Sequence, residues 1–172
     1  MNLHLPIEQL VRREGTPFQL AFATEAKDLL PEGEEFLLNA SQKGLHVLAR
    51  NEEALVTPLE GLREVYGPTL RVDAPRVRLI GGVQLQEPIM HVRISLRTQF
   101  GDLVKRALRR RGVGLSEEYV RSTYCVLRYE APLADLLGLP GELARLTDGA
   151  AKHWITLSHY AIVTRDPGGK AA

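Results

Sequence analysis

The pattern of hydrophobic and polar positions divides the chain into two halves with the same order of elements. Apolar residues at every second position predict strands, whereas spacings of three and four predict helices. The first half reads as a strand, a short acidic helical connection, two strands of a hairpin, a helix and further strand material. These elements are predicted at 17–23, 24–35, 36–40, 44–50, 57–66 and 69–80. The predicted order is β-α-β-β-α-β.

Two starting points are open for the second helix of this half. Thr57 suits the N-cap, with Pro58 in the first helical position and Glu60 completing a capping box. Alternatively, the helix begins near Asn51 and Pro58 kinks it. One apolar face forms in either case, from Leu55, Leu59, Leu62 and Tyr66.

The second half repeats this order. Its elements are a strand at 89–97, a helix at 99–110, a hairpin around Arg121, a helix interrupted at Gly138 and Pro140, and a final strand at 152–163. Both halves match the split β-α-β arrangement, in which helices cover one face of an antiparallel sheet. We therefore predict an α+β chain of two ferredoxin-like modules with antiparallel sheets, at 1–80 and 87–165, joined by a linker at 81–86.

Short motifs in both halves carry a resemblance to a known family. In the second half these motifs are formed by Glu87, Pro88, Ile89, Met90, Gly101, Asp102, Arg110, Arg111, Gly112, Pro132, Leu133, Gly138, Thr147, Gly149, His159 and Tyr160. Through these residues the second half resembles the C-terminal, fifth domain of translation elongation factor G. The first half is similar to the third domain of the same factor, through Leu59, Glu60, Leu62, Arg63, Glu64, Tyr66, Gly67, Val72 and Pro75.

The departures from the family limit what the resemblance implies. This sequence has no counterpart of the factor's GTPase, second or fourth domain, so translocase activity is not carried over. Asp148, Gly149, Ala150 and Ala151 stand where the family has Gln-Gly-Arg-Gly, which removes an arginine expected to face RNA. The resemblance implies one partner, the factor-binding region of the large ribosomal subunit.

Composition narrows the class of protein. With 22 Lys plus Arg against 21 Asp plus Glu, the net charge of +1 gives no global attraction to RNA or membranes. No run of uncharged apolar residues is long enough to cross a membrane. The single cysteine, Cys125, lies in a β-branched and aromatic stretch and is predicted to be buried. We expect a cytoplasmic protein with no membrane partner.

Motifs for catalysis and cofactor binding are missing from the sequence. There is no glycine loop that cradles phosphates, no nucleophile elbow, and no metal-ligand spacing among the five histidines and one cysteine. We therefore expect no nucleotide, no cofactor, no metal and no catalytic residue, so the chain is predicted not to be an enzyme.

The helix at 99–110 carries the candidate chemistry. Its candidate RNA-binding residues are Lys105, Arg106, Arg109, Arg110 and Arg111. At about 100° per residue, the first three lie opposite the apolar side and Arg110 lies on the flank. Arginine forks suit phosphate oxygens. The alternative interpretation is a solvated helix face that binds nothing.

Aromatic residues and histidines on the predicted strands offer weaker signals. Period two places His153 and His159 on one face of the last strand, too far apart to share a metal ion. Tyr119, Tyr124 and Tyr129 lie on strands where bases could stack, but no aromatic pattern with flanking basic residues accompanies them. The sequence therefore favours the helix over the sheet as an RNA contact.

These observations predict a non-catalytic, ribosome-associated, translation-factor-like protein that occupies or modulates the elongation-factor site. The alternative is a ferredoxin-like module for protein interaction or dimerisation, with a protein partner or a second copy and no RNA contact.

Overall fold

The computed structural model describes residues 4–31 and 33–164. Residues 1–3, 32 and 165, which the predicted modules include, lie outside these ranges. The chain divides into two compact units between Arg78 and Leu79. The predicted linker at 81–86 lies in the second unit, where the backbones of Ile80 and Gln86 pair.

The first unit combines short strands with α-helices. In chain order these are β1 (Ile7–Arg13), α1 (Gln19–Leu29), β2 (Phe36–Ser41), β3 (Gly44–Ala49), α2 (Val56–Tyr66), β4 (Leu70–Val72) and β5 (Arg76–Val77). The sheet has the order β2-β3-β1-β4, with β5 also paired to β1, and every pairing is antiparallel.

The second unit repeats the topology of the first. Its elements are β6 (Gln86–Arg97), α3 (Gly101–Arg110), β7 (Glu117–Val120), β8 (Tyr124–Pro132), α4 (Leu133–Leu136), α5 (Leu139–Thr147) and β9 (Lys152–Ile162). The antiparallel sheet has the order β7-β8-β6-β9. The prediction of an α+β chain with two ferredoxin-like antiparallel sheets is thus confirmed.

Each core lies on the face of its sheet that the helices cover. In β6 and β8, alternate residues are buried, as expected for a sheet with one wet face. The buried positions of the second unit include Met90, Val92, Ile94, Leu96, Cys125, Leu127, Tyr129, Val104, Leu108, Leu136 and Leu143. Burial raises the pKa of the Cys125 thiol and that of the Tyr129 phenol.

The predicted first strand at 17–23 is wrong, because these residues begin helix α1 and the strand is the earlier segment β1. The apolar alternation of β1 is interrupted by Gln9, which is buried on the same side as Ile7 and Val11. Its Nε2 donates to the carbonyl oxygen of Asp73 at 2.6 Å. A polar residue at an inward position therefore masked the strand.

Helix α2 starts at Val56, between the two predicted starting points, and the turn that leads into it starts near Asn51. Asn51 Oδ1 accepts a hydrogen bond from the Ala54 N–H at 2.9 Å, and a single 3₁₀ turn at Glu53–Leu55 leads into the helix. Thr57 is the second residue of α2, so it is not the N-cap. The predicted apolar face is buried in full.

Strand β9 contains an irregularity that changes which of its residues share a face. Ile89 pairs with His159 and Met90 pairs with Leu157, so Ser158 is the extra residue of a β-bulge. After the bulge the alternation reverses, and His159 is exposed whereas His153 is half-buried. The prediction that the two histidines share a face is therefore wrong.

Candidate RNA-binding surfaces

Three arginines of helix α3 form an exposed stripe, here called the α3 stripe: Arg106, Arg109 and Arg110. Residues separated by three and four positions lie next to one another on a helix surface. The opposite side of the helix buries Val104 and Leu108 against the sheet. Among the described residues, no carboxylate lies within ion-pair distance of these three side chains. The stripe therefore presents three guanidinium groups to solvent.

Lys105 occupies a different position from the α3 stripe. Its Nζ lies 2.9 Å from Glu118 Oε1 on β7 and 3.1 Å from Asp102 Oδ1 on its own helix. Hydrogen bonds to Glu118 and then Asp102 raise the pKa of the Lys105 amine. Lys105 therefore connects α3 to the edge strand of the sheet.

Arg111 is also held by partners within the second unit. Its Nη2 lies 2.7 Å from Glu142 Oε2, and its Nη1 donates to the carbonyl oxygens of Asp135 and Leu137 at 3.0 and 2.9 Å. Those carbonyls belong to the corner at Gly138 between α4 and α5. Arg111 thus joins the end of α3 to this corner. The structure therefore separates the five predicted RNA-binding residues into three that face solvent and two that pair internally.

The face of the second sheet opposite the helices carries exposed aromatic and basic side chains. We call it the open sheet face, and it comprises the outward residues His91, Arg93, Ser95, Arg97, Glu117, Tyr119, Tyr124, Val126, Arg128, Glu130, Lys152, Trp154 and Thr156, together with Arg121, whose guanidinium lies over the Tyr119 ring. Arg93 is in register with Trp154 on one side and with Arg128 on the other. Two adjoining depressions of about 500 and 550 Å³ lie on this face. Their size is within the range of sites that hold a small organic group.

The sequence prediction discounted this face, and the structure explains what was missed. Tyr129 points into the core, so the three predicted tyrosines do not act together. Trp154 comes from a distant strand and completes the aromatic set. The signal available in the sequence was that Arg93, Ser95 and Arg97 alternate with the apolar residues Ile94 and Leu96, while Tyr124 and Arg128 alternate with Cys125 and Leu127.

A polar chain of three side chains lies on the first sheet. His46 Nδ1 is 2.5 Å from Glu8 Oε1, and His46 Nε2 is 2.8 Å from Ser41 Oγ. With the Nδ1 proton directed to Glu8, Nε2 accepts from the Ser41 hydroxyl. The same hydroxyl accepts from the Lys43 N–H and lies 3.1 Å from the Gly44 carbonyl oxygen. Ser41 therefore closes the turn between β2 and β3.

We expect Ser41→Ala to destabilise the first unit by about 0.5 to 1.5 kcal/mol, because the half-buried imidazole and the turn lose a hydrogen bond. Urea unfolding of the full chain followed by circular dichroism measures this loss. Gln42→Ala, at the exposed neighbouring position, is the matched control and should change stability by less than about 0.5 kcal/mol. Equal stability of Ser41→Ala and the wild type would contradict this role.

Metal-binding and membrane-spanning features are absent from the described part of the chain. Within residues 4–31 and 33–164, no group of three or more His, Cys, Asp or Glu side chains is arranged to hold a metal ion. No helix among the described residues is both long enough and apolar enough to cross a membrane.

Comparison with known proteins relates the second unit to one family. Residues 84–170 match the family model described as elongation factor G C-terminus. The chain is 40% identical over 100 residues to elongation factor G 2 of Hahella chejuensis, covering 58% of this chain and 13% of that protein. It is 35% identical over 86 residues to elongation factor G of Granulibacter bethesdensis, covering 49% and 12%. The chain thus spans about an eighth of the length of these curated relatives.

A solved structure extends the fold comparison to nearly the whole chain. A crystal structure of a protein from Thermus thermophilus matches 92% of this chain and 41% of its own, with a TM-score of 0.64. The sequence identity is 15%, so the likeness concerns the fold alone.

Proposed function

Because the chain belongs to the elongation factor G C-terminus family, we propose that it is a non-catalytic, ribosome-associated factor of the cytoplasm. It occupies or modulates the elongation-factor site on the large ribosomal subunit. One observation carries the proposal: the unit that matches the family presents the α3 stripe of three arginines without carboxylate partners among the described residues.

The α3 stripe has the chemistry that a ribosomal RNA backbone requires. A guanidinium group donates two parallel hydrogen bonds to phosphate oxygens, and it remains charged at any physiological pH. Three adjacent groups on one rigid helix fit consecutive phosphates more precisely than three on a loop. Such contacts supply affinity and orientation but no sequence readout. The proposed contact is therefore with the shape of the RNA backbone.

Lys105 and Arg111 support the α3 stripe in this proposal. Lys105 ties the middle of α3 to β7, and Arg111 ties the C-terminal end of the helix to Glu142, each through an ion pair. Because each is paired with a carboxylate, these two residues add little to the positive potential near the helix. The direct phosphate contacts are assigned to Arg106, Arg109 and Arg110.

We expect the triple variant Arg106→Gln, Arg109→Gln and Arg110→Gln to bind ribosomes at least about tenfold more weakly, because three phosphate contacts are lost. Pelleting with 70S ribosomes at several salt concentrations measures this. The wild-type log–log slope of affinity against salt should be about −2 to −3, and it should approach zero in the variant. Glutamine avoids placing carboxylates at the helix C-terminus, where Glu opposes the dipole.

The control carries the same change in net charge on the first unit: Lys43→Gln, Arg63→Gln and Arg76→Gln, all at exposed positions. Arg63 lies in the last turn of α2 and so matches Arg109 and Arg110 in its helical position. This control should pellet like the wild type. Equal loss in both variants would mean that net charge alone attracts the chain, and full binding by the α3 variant would contradict the proposal.

A further inference from the structure

We infer that the open sheet face of the second unit binds single-stranded RNA. The bases stack on Trp154, Tyr119 and Tyr124, and the basic residues between them contact the phosphates. This surface lies on the side of the sheet opposite α3, and the inference does not require that the chain bind ribosomes.

The three aromatic side chains are exposed to an unusual degree for their type. Trp154 and Tyr119 are each 48% exposed and Tyr124 is 45% exposed. Trp154 lies on the edge strand β9 and Tyr119 on the opposite edge strand β7, three strand spacings or about 14 Å apart. Aromatic rings on a sheet are platforms for unpaired bases, because every base has a π-face. Rings at both edges and at one end therefore allow bases that are not adjacent along one strand to stack on the same face.

Two arginines lie over these rings. Arg93 Cζ is 5.0 Å from the centroid of the Trp154 ring, and Arg121 Cζ is 4.8 Å from the centroid of the Tyr119 ring. Guanidinium planes stack on bases as aromatic rings do, and they reach phosphates as well. Trp154 and Tyr119 are thus each accompanied by a cation that can hold the backbone of the nucleotide whose base stacks there.

The charges of the open sheet face complement a polyanion. It has two carboxylates: Glu117 lies 3.4 Å from Arg128, and Glu130 lies 3.0 Å from His91 Nδ1 and accepts a hydrogen bond from Ser158 Oγ at 2.9 Å. Glu118, which also borders the second depression, pairs with Lys105 on the other side. Within residues 4–31 and 33–164, no carboxylate lies within ion-pair distance of four cations of this face: Arg93, Arg97, Arg121 and Lys152. The uncompensated charge is therefore positive.

The centre of the face argues against a protein partner or a second copy. Between the aromatic edges, the outward positions of β6 and β8 include Arg93, Ser95 and Arg128, and the aliphatic residue among them is Val126. A stable protein interface needs a desolvated apolar centre with a polar rim, and this face has the reverse arrangement. Basic residues between separated aromatic rings are instead the composition of single-stranded nucleic-acid binders. We commit to RNA because the chain belongs to an elongation-factor family.

The single tryptophan makes the inference directly measurable, since Trp154 is the only one in the chain. Titration of the full chain with an oligoadenylate of about twelve nucleotides should quench the Trp154 emission. Tyr119→Ala and Tyr124→Ala should each weaken the affinity by about fivefold or more, whereas Tyr119→Phe and Tyr124→Phe should retain it. Arg93→Gln should weaken binding and reduce its salt dependence.

Four comparisons decide between this inference and its competitors. An abasic oligomer with the same phosphates should bind more weakly, and equal binding would overturn base stacking. A DNA oligomer that binds as tightly as the RNA would overturn the assignment to RNA. Trp154 emission that changes with protein concentration in the absence of RNA would overturn it in favour of a second copy. The α3 triple variant should keep the full quenching, and loss of quenching there would place RNA on the helix instead.

Discussion

Gly44→Ala should destabilise the first unit by about 3 kcal/mol or more. Gly44 begins β3 with φ of +134°, a region that residues with a side chain rarely adopt. A Cβ at this position would lie 2.4 Å from the carbonyl oxygen of Val11 and 2.9 Å from Arg12 Cγ. Because Val11 is part of β1, relief of this clash requires the two central strands to separate.

The matched control for this prediction is Gly15→Ala. Gly15 also has positive φ, at +77°, but nothing lies within 4 Å of an added Cβ. This variant should lose only the cost of the backbone conformation, about 1 to 2 kcal/mol. Thermal unfolding followed by circular dichroism measures both variants in the full chain. Equal losses in the two variants would show that the contact with Val11 contributes nothing.

The topology of both units could be predicted from the sequence because each sheet has one face covered by helices and one face exposed to solvent. In β6 and β8, one face is covered by helices and the other is wet, so the apolar period survives in the sequence. The resemblance to elongation factor G is confirmed by the family match over residues 84–170. The alternation failed at β1, where the inward position holds Gln9, whose partner, the Asp73 carbonyl, is 64 residues away.

The candidate site could be predicted only in part. The helical period predicts which way each side chain of α3 points, but it does not predict which residue that side chain pairs with. Arg106 and Arg109 face solvent, as the period requires. The period also predicts that Lys105 faces solvent with these arginines, yet Lys105 pairs with Glu118 on β7, the strand that follows the helix. Such a pairing depends on how β7 packs beside α3. The open sheet face was missed for a similar reason, since Trp154 meets Arg93 only through strand register.

Arg111→Ala should destabilise the second unit by about 2 to 4 kcal/mol, because it leaves Glu142 and two carbonyl groups without their partner. The side chains of Arg111 and Glu142 are only 23% and 22% exposed, so water replaces the lost contacts poorly. Because this remaining exposure still admits some water, we place the expected loss below that of a fully buried pair. Trp154 emission during urea unfolding reports this unit specifically.

The paired substitution separates a structural role for Arg111 from an RNA-binding one. In Arg111→Met with Glu142→Leu, no charge is left unpaired, so the loss of stability should be smaller than in Arg111→Ala. Arg111→Lys keeps the charge but loses the fork that spans Glu142 and the carbonyls of Asp135 and Leu137, so it should recover only part of the stability. If Arg111 instead contacts phosphates, Arg111→Ala should fold with wild-type stability and bind ribosomes more weakly. That combination would assign Arg111 to the RNA-binding surface and would contradict its structural role at the Gly138 corner.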